Sequence, residues 1–124
     1  MNVLNLLYIS RIWRLSLFVV LLITLFIGAF LPQVGQAAGP WHSQLHILAY
    51  AVVGFVTYWS FTNIKALWSG TIILSIPVLH EVLEIWGHHH QLEVHDILLN
   101  LIGVVCGSLI AYFILNGAKS VLGK

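Results

Sequence analysis

Long apolar runs separated by short polar breaks make up nearly the whole chain. Four of the runs approach the roughly 20 residues that a helix needs to cross a bilayer core of about 30 Å. They cover residues 15–31, 45–61, 66–86 and 97–115. Lipid offers no partner to a backbone N–H or C=O, so runs of this length are expected to be helices that satisfy their own polar groups. Pro32 stops the first run, and residues 32–44 (PQVGQAAGPWHSQ) read as a Pro/Gly loop. Residues 62–65 form a tight return, and residues 87–95 form a polar loop. Residues 1–14 lie in the interface as a short helix or extend the first run. Gly35 and Ala37 give a small-residue cleavage pattern after that run. The run is longer than the roughly 7–15 residues of a secretory signal region, so the first span is expected to stay. The pattern predicts an all-α chain with one domain, an integral membrane four-helix bundle over residues 1–124.

Charge adds a direction to this picture. Only 7% of residues are charged and 60% are hydrophobic, whereas a soluble domain carries about 25% charged residues. Cytoplasmic segments near span ends are enriched in Lys and Arg. With four spans, Arg11, Arg14, Lys65, Lys119 and Lys124 fall on one side, so both termini are expected to be cytoplasmic. Indole rings collect at membrane boundaries. Trp13, Trp59 and Trp68 accordingly mark the inner boundary, and Trp41 and Trp86 the outer one. A net charge of +1 on scattered basic residues excludes nucleic acid as a partner. The lone Cys106 excludes an internal disulfide.

The chemistry is concentrated in one stretch. Residues 77–107 hold all 4 acids and most of the 7 histidines. At about 1.5 Å of rise per residue, Tyr50, Glu81 and Asn100 each lie roughly 6–8 Å inside the outer boundary, with His46 and Glu84 shallower. His46 and Tyr50 are four apart and share a helix face. His80, Glu81 and Glu84 fall within about 100° of arc. Asp96, Asn100, Gly103 and Gly107 form one stripe, whose glycines let a neighbouring helix come close. Ionisable groups within a span usually face a bundle interior, where partners lower their cost. The three faces are therefore expected to meet in one outward pocket. Two carboxylic acids one turn apart, with no Lys or Arg nearby, do not both carry charge cheaply. With His46, His80 and His95 close by, this is equipment for sharing or transferring a proton. Pro77 frees the carbonyl near Ile73, which is either a kink beneath the acids or a tolerated transmembrane proline.

The set His46-x-x-x-Tyr50, Glu81-x-x-Glu84 and Asp96-x-x-x-Asn100-x-x-Gly103-x-x-x-Gly107 resembles the VanZ-like family of small bacterial membrane proteins, over about residues 42–107. That family has Asp-Lys where this chain has His42-Ser43, Gln at the position of Glu84, and a loop Arg at the position of His90. Both external basic residues of the pattern are thus missing, and histidine replaces them with a charge that depends on pH. The resemblance implies a multi-pass protein of the bacterial plasma membrane with an envelope role. The family's founding member is associated with low-level resistance to the glycopeptide teicoplanin.

Several functions follow as expectations. In the first, the pocket of His46, Tyr50, His80, Glu81, Glu84, Asp96 and Asn100 binds or processes a lipid-linked or wall component. If it is catalytic, Glu81 or Glu84 is the acid or base, Asp96 and Asn100 orient it, and His46 shuttles protons. In the second, the same residues only set helix packing, as intramembrane Asn and His also do. In the third, a metal ion is held by residues drawn from His42, His46, His88, His90, Glu93 and His95, since imidazole and carboxylate suit zinc or nickel. The sequence His80-Glu81-Val82-Leu83-Glu84 is similar to a zinc-protease helix, but with Glu84 at the second histidine position. No other cofactor is expected. A transporter is disfavoured, because the inner half of each span lacks ionisable groups.

Overall fold

The computed structural model describes residues 9–88, 91 and 93–122. Five α-helices and one short 3-10 turn account for most of them, and there is no strand among the described residues. The helices are α1 (Arg11–Ala29), α2 (Pro32–Ala38), α3 (His42–Ser60), α4 (Ala66–His88) and α5 (Val94–Leu122), with the 3-10 turn Gly39–Trp41 leading into α3. The chain is an all-α bundle of four long helices joined by short connections, the arrangement that places successive helices antiparallel.

The expected loop at residues 32–44 is largely helical. Pro32 stands at the start of α2, where its missing N–H is harmless and its fixed φ suits a first turn. Gly39 ends that helix at φ 50°, in the region that favours glycine. As a result α3 begins at His42, and His42 and His46 share one helix. Among the four long helices, α1, α4 and α5 are long and apolar enough to cross a membrane by length and composition. The second expected span is the exception, because α3 carries His42, Ser43, Gln44 and His46 in its first two turns.

That polarity fits the place of α3 at the centre of the bundle, packed against α1, α4 and most closely α5. The core is built from Phe18 of α1, Tyr50, Val53 and Val56 of α3, Ile73 and Ile76 of α4, and Val104 of α5. The α3–α5 seam depends on small residues. A Cβ on Gly54 would land on the Val104 backbone, and one on Gly107 on the Ala51 carbonyl. A Cβ on Gly103 would lie 2.7 Å from Ile47 O. Ser108 Oγ spans the seam at 3.2 Å from Gly54 O. Pro77 is fully buried inside α4, and the helix continues through it.

Trp59 differs from the other four tryptophans in its burial. It is 6% exposed, against 61–76% for Trp13, Trp41, Trp68 and Trp86. Its carbonyl is one of the last four of α3, which have no partner within the helix, and Arg14 Nη1 donates to it at 2.9 Å. The same nitrogen lies 3.2 Å from Thr62 Oγ1, and Ser60 Oγ donates back to Arg14 O at 2.9 Å. A cation at a helix C-terminus also meets the negative end of the macrodipole. Arg14→Met therefore keeps the apolar stem but removes the clamp between α1 and α3. We expect it to destabilise the purified protein by about 1.5–3 kcal/mol, the value of a hydrogen bond to a charged group. Unfolding of the detergent-solubilised protein, compared with Arg11→Met, measures this.

Candidate functional site

The polar residues converge at the end of the bundle where α3 and α5 begin and α4 finishes. Spacing places them there: His42, His46 and Tyr50 climb one face of α3 at intervals of four, and Asp96 and Asn100 do the same on α5. From α4, His80, Glu81 and Glu84 come within one turn. Asp96 sits in the first turn of α5, where the helix N-terminus favours an anion.

Asn100, which is fully buried, joins the three helices. Its Nδ2 donates to Glu81 Oε1 at 3.3 Å. Its Oδ1 lies 2.7 Å from His46 Nδ1. A carboxylate only accepts, so the amide nitrogen belongs toward Glu81 and the amide oxygen toward His46. With the amide turned this way, a neutral His46 that bonds to Asn100 is protonated at Nδ1 and bears its lone pair at Nε2. That Nε2 lies 3.3 Å from Nε2 of His42. The Tyr50 ring stands between two imidazoles, stacked on His46 at 6.3 Å between centroids and edge-on to His80 at 5.8 Å. The Tyr50 hydroxyl is buried, and no hydrogen-bonding group among the described residues reaches it. His80 Nδ1 is 3.9 Å from Glu84 Oε2.

A cavity of about 300 Å³ opens beside this network. Its polar wall is made by His42, His46, Tyr50, His80 and Glu84. Thr24, Leu25 and Gly28 of α1 and Leu31 just after it line the cavity as well, together with Leu45 and Ala49 of α3. A much smaller polar cleft lies against Glu81, Glu84, Glu93 and Asp96. Two groups of side chains bring ligand atoms within 4.8 Å of one another: His42, His46 and Asp96, and separately His80, Glu81 and Glu84.

The pocket residues expected from sequence, His46, Tyr50, His80, Glu81, Glu84, Asp96 and Asn100, therefore lie in one cluster. His46, Tyr50 and His80 border the cavity, Glu81 and Asp96 border the cleft, Glu84 borders both, and the buried Asn100 lines neither. Gly103 and Gly107 face α3. Of the metal candidates, His42 and His46 come together with Asp96. Glu93 lies on the cleft, and His95 is an exposed side chain 3.4 Å from Asp96 Oδ1. The side chain of His88 and all of His90 lie outside the described residues. Sequence reasoning missed Gly54 and the whole α1 wall. The pair Ala51 and Gly54, small residues one turn apart, was the available signal for the first; the α1 residues differ in no way from lipid-facing ones. No family model, no curated protein and no solved structure matches this chain.

Proposed function

We propose that the chain is a multi-pass protein of the bacterial plasma membrane whose outward-facing cavity binds a lipid-linked or cell-wall component. The observation that carries this reading is the two-sided character of the cavity, with imidazole, phenol and carboxylate on one wall and aliphatic residues of α1 on the other. Such a space suits an amphipathic molecule with its head on α3 and α4 and its chain along α1, because apolar and polar surface are each matched. Exposed Ile12, Leu17, Val20, Ile23 and Ile27 on α1, and Leu98, Ile102, Leu109 and Phe113 on α5, supply a surface suited to acyl chains. Arg11, Arg14 and Lys65 lie at the opposite end from the cluster, which supports cytoplasmic termini and an outward pocket. The resemblance to the VanZ-like family supports an envelope role linked to glycopeptide tolerance. Within the cavity, Glu84 is the carboxylate placed to exchange a proton with a bound head group, and His80 is its neighbour.

Gly28 provides the test. It lines the cavity, and a Cβ there would meet nothing within 4 Å. Gly28→Leu should accumulate and fold like the parent yet fill the space. We expect a deletion strain to become more sensitive to wall-active antibiotics, and the parent gene to restore tolerance while the Gly28→Leu gene does not. Full restoration by Gly28→Leu would leave the polar cluster as a device for packing helices, the reading that the buried Asn100 network also supports.

A further inference from the structure

We propose that His42 Nε2, His46 Nε2 and a carboxylate oxygen of Asp96 form a binding site for a divalent transition-metal ion of the zinc class. One ring nitrogen of each histidine and one carboxylate oxygen of Asp96 lie within 4.8 Å of one another. The geometry of the pair of imidazoles is the first argument. Zinc binds histidine nitrogen at about 2.0–2.1 Å in a tetrahedron, which sets two ligand nitrogens roughly 3.3–3.4 Å apart. The two Nε2 atoms are 3.3 Å apart. That separation is long for a neutral N–H···N hydrogen bond.

The proton on His46 points the same way. Asn100 is held by Glu81 at its amide nitrogen and takes the Nδ1 proton at its oxygen. This leaves the His46 Nε2 lone pair facing His42. Metal-binding histidines are typically oriented in this way, by a hydrogen bond from the other ring nitrogen. Charge agrees with both. Among the described residues no Lys or Arg belongs to the cluster, while Asp96 is buried beside it and supplies the negative charge that a cation needs. Two histidines and a carboxylate leave one tetrahedral position for an outside group. His42 and His46 both border the cavity, as does Tyr50, whose buried hydroxyl no described residue engages. The inference rests on these side chains and does not require the cavity to hold an envelope component.

The experiment is calorimetric titration of the full chain in detergent with zinc chloride after treatment with chelator, together with visible spectra of the cobalt(II) form. We expect one ion per chain with a dissociation constant below about 10 μM, and intense tetrahedral cobalt bands. His42→Ala and Asp96→Asn should each weaken zinc at least about 10-fold. Asp96→Asn keeps size and hydrogen bonding, and His42 is only partly buried, so both variants should fold. His80→Ala, replacement of His88, His89 and His90 together by alanine, and Gly28→Leu should leave affinity unchanged. Absence of binding tighter than about 10 μM overturns the proposal. So does zinc that survives His42→Ala but is lost with His80 or the loop histidines. An unaltered zinc isotherm in Gly28→Leu, beside failed complementation, separates this site from the occupant of the cavity.

Discussion

Gly107→Ala is expected to be the most damaging single-methyl change in the protein. A Cβ at this position falls on the Ala51 carbonyl, which is backbone of the facing helix and has no rotamer to escape into. The seam must open or α5 must slide, and either moves Gly103 and Asn100 as well. Overpacking of this kind costs about 1–3 kcal/mol, occasionally more; with backbone on both sides we expect about 3 kcal/mol or more. Gly54→Ala meets the Val104 backbone and should behave alike. The two share one seam, so their effects should not add. Gly117 is the control within α5. Nothing lies within 4 Å of a Cβ there, so Gly117→Ala should be neutral or stabilise by up to about 1 kcal/mol through helix propensity. Unfolding of the three variants in detergent checks the order, and equal stability of Gly107→Ala and Gly117→Ala would contradict the seam.

Asn100→Leu is expected to have the second largest effect, because it keeps volume while removing both ends of the amide. His46 Nδ1 loses its acceptor at 2.7 Å, and Glu81 Oε1 its donor at 3.3 Å. A hydrogen bond between membrane helices is worth on average about 0.6 and at most about 1.7 kcal/mol, since the unfolded helices find other partners. Two such bonds, together with the buried groups left unsatisfied, give an expected loss of about 1–3 kcal/mol. The consequence for function should exceed that for stability. With Asn100 gone, nothing holds the His46 proton on Nδ1, and the lone pair at Nε2 is no longer fixed toward His42. Zinc affinity should therefore fall by about 10–100-fold in molecules that remain folded. Unfolding and calorimetry on the same preparation test both halves.

Asn100 also shows how much a sequence can say. Its buried place within an apolar run, four residues after Asp96 and three before Gly103, marks a residue turned to other helices, because an amide facing lipid is expensive. Helical period and rise were enough to bring Tyr50, Glu81 and Asn100 to one depth. They were not enough to show that Asn100 bonds to both Glu81 and His46, since depth does not fix rotamers. Glu84 is a similar case. Its spacing sets it beside Glu81, but the structure turns it to the cavity and toward His80, while Glu81 faces Asn100.

What the amino-acid order determined was the helical class, the approximate run of each long helix, and the collection of polar chemistry at one end. These follow from local quantities: the lack of backbone partners in lipid, the 3.6-residue period and the distribution of charge. Tertiary structure alone decided that α3 stands at the centre, that Trp59 is buried while its carbonyl accepts from Arg14 of α1, and that α1 lines the cavity beside His42 and His46. An apolar side chain gains about as much against lipid as against another apolar side chain. Hydropathy therefore cannot say which face of a helix is covered, and only the close approach of glycine-lined backbones does.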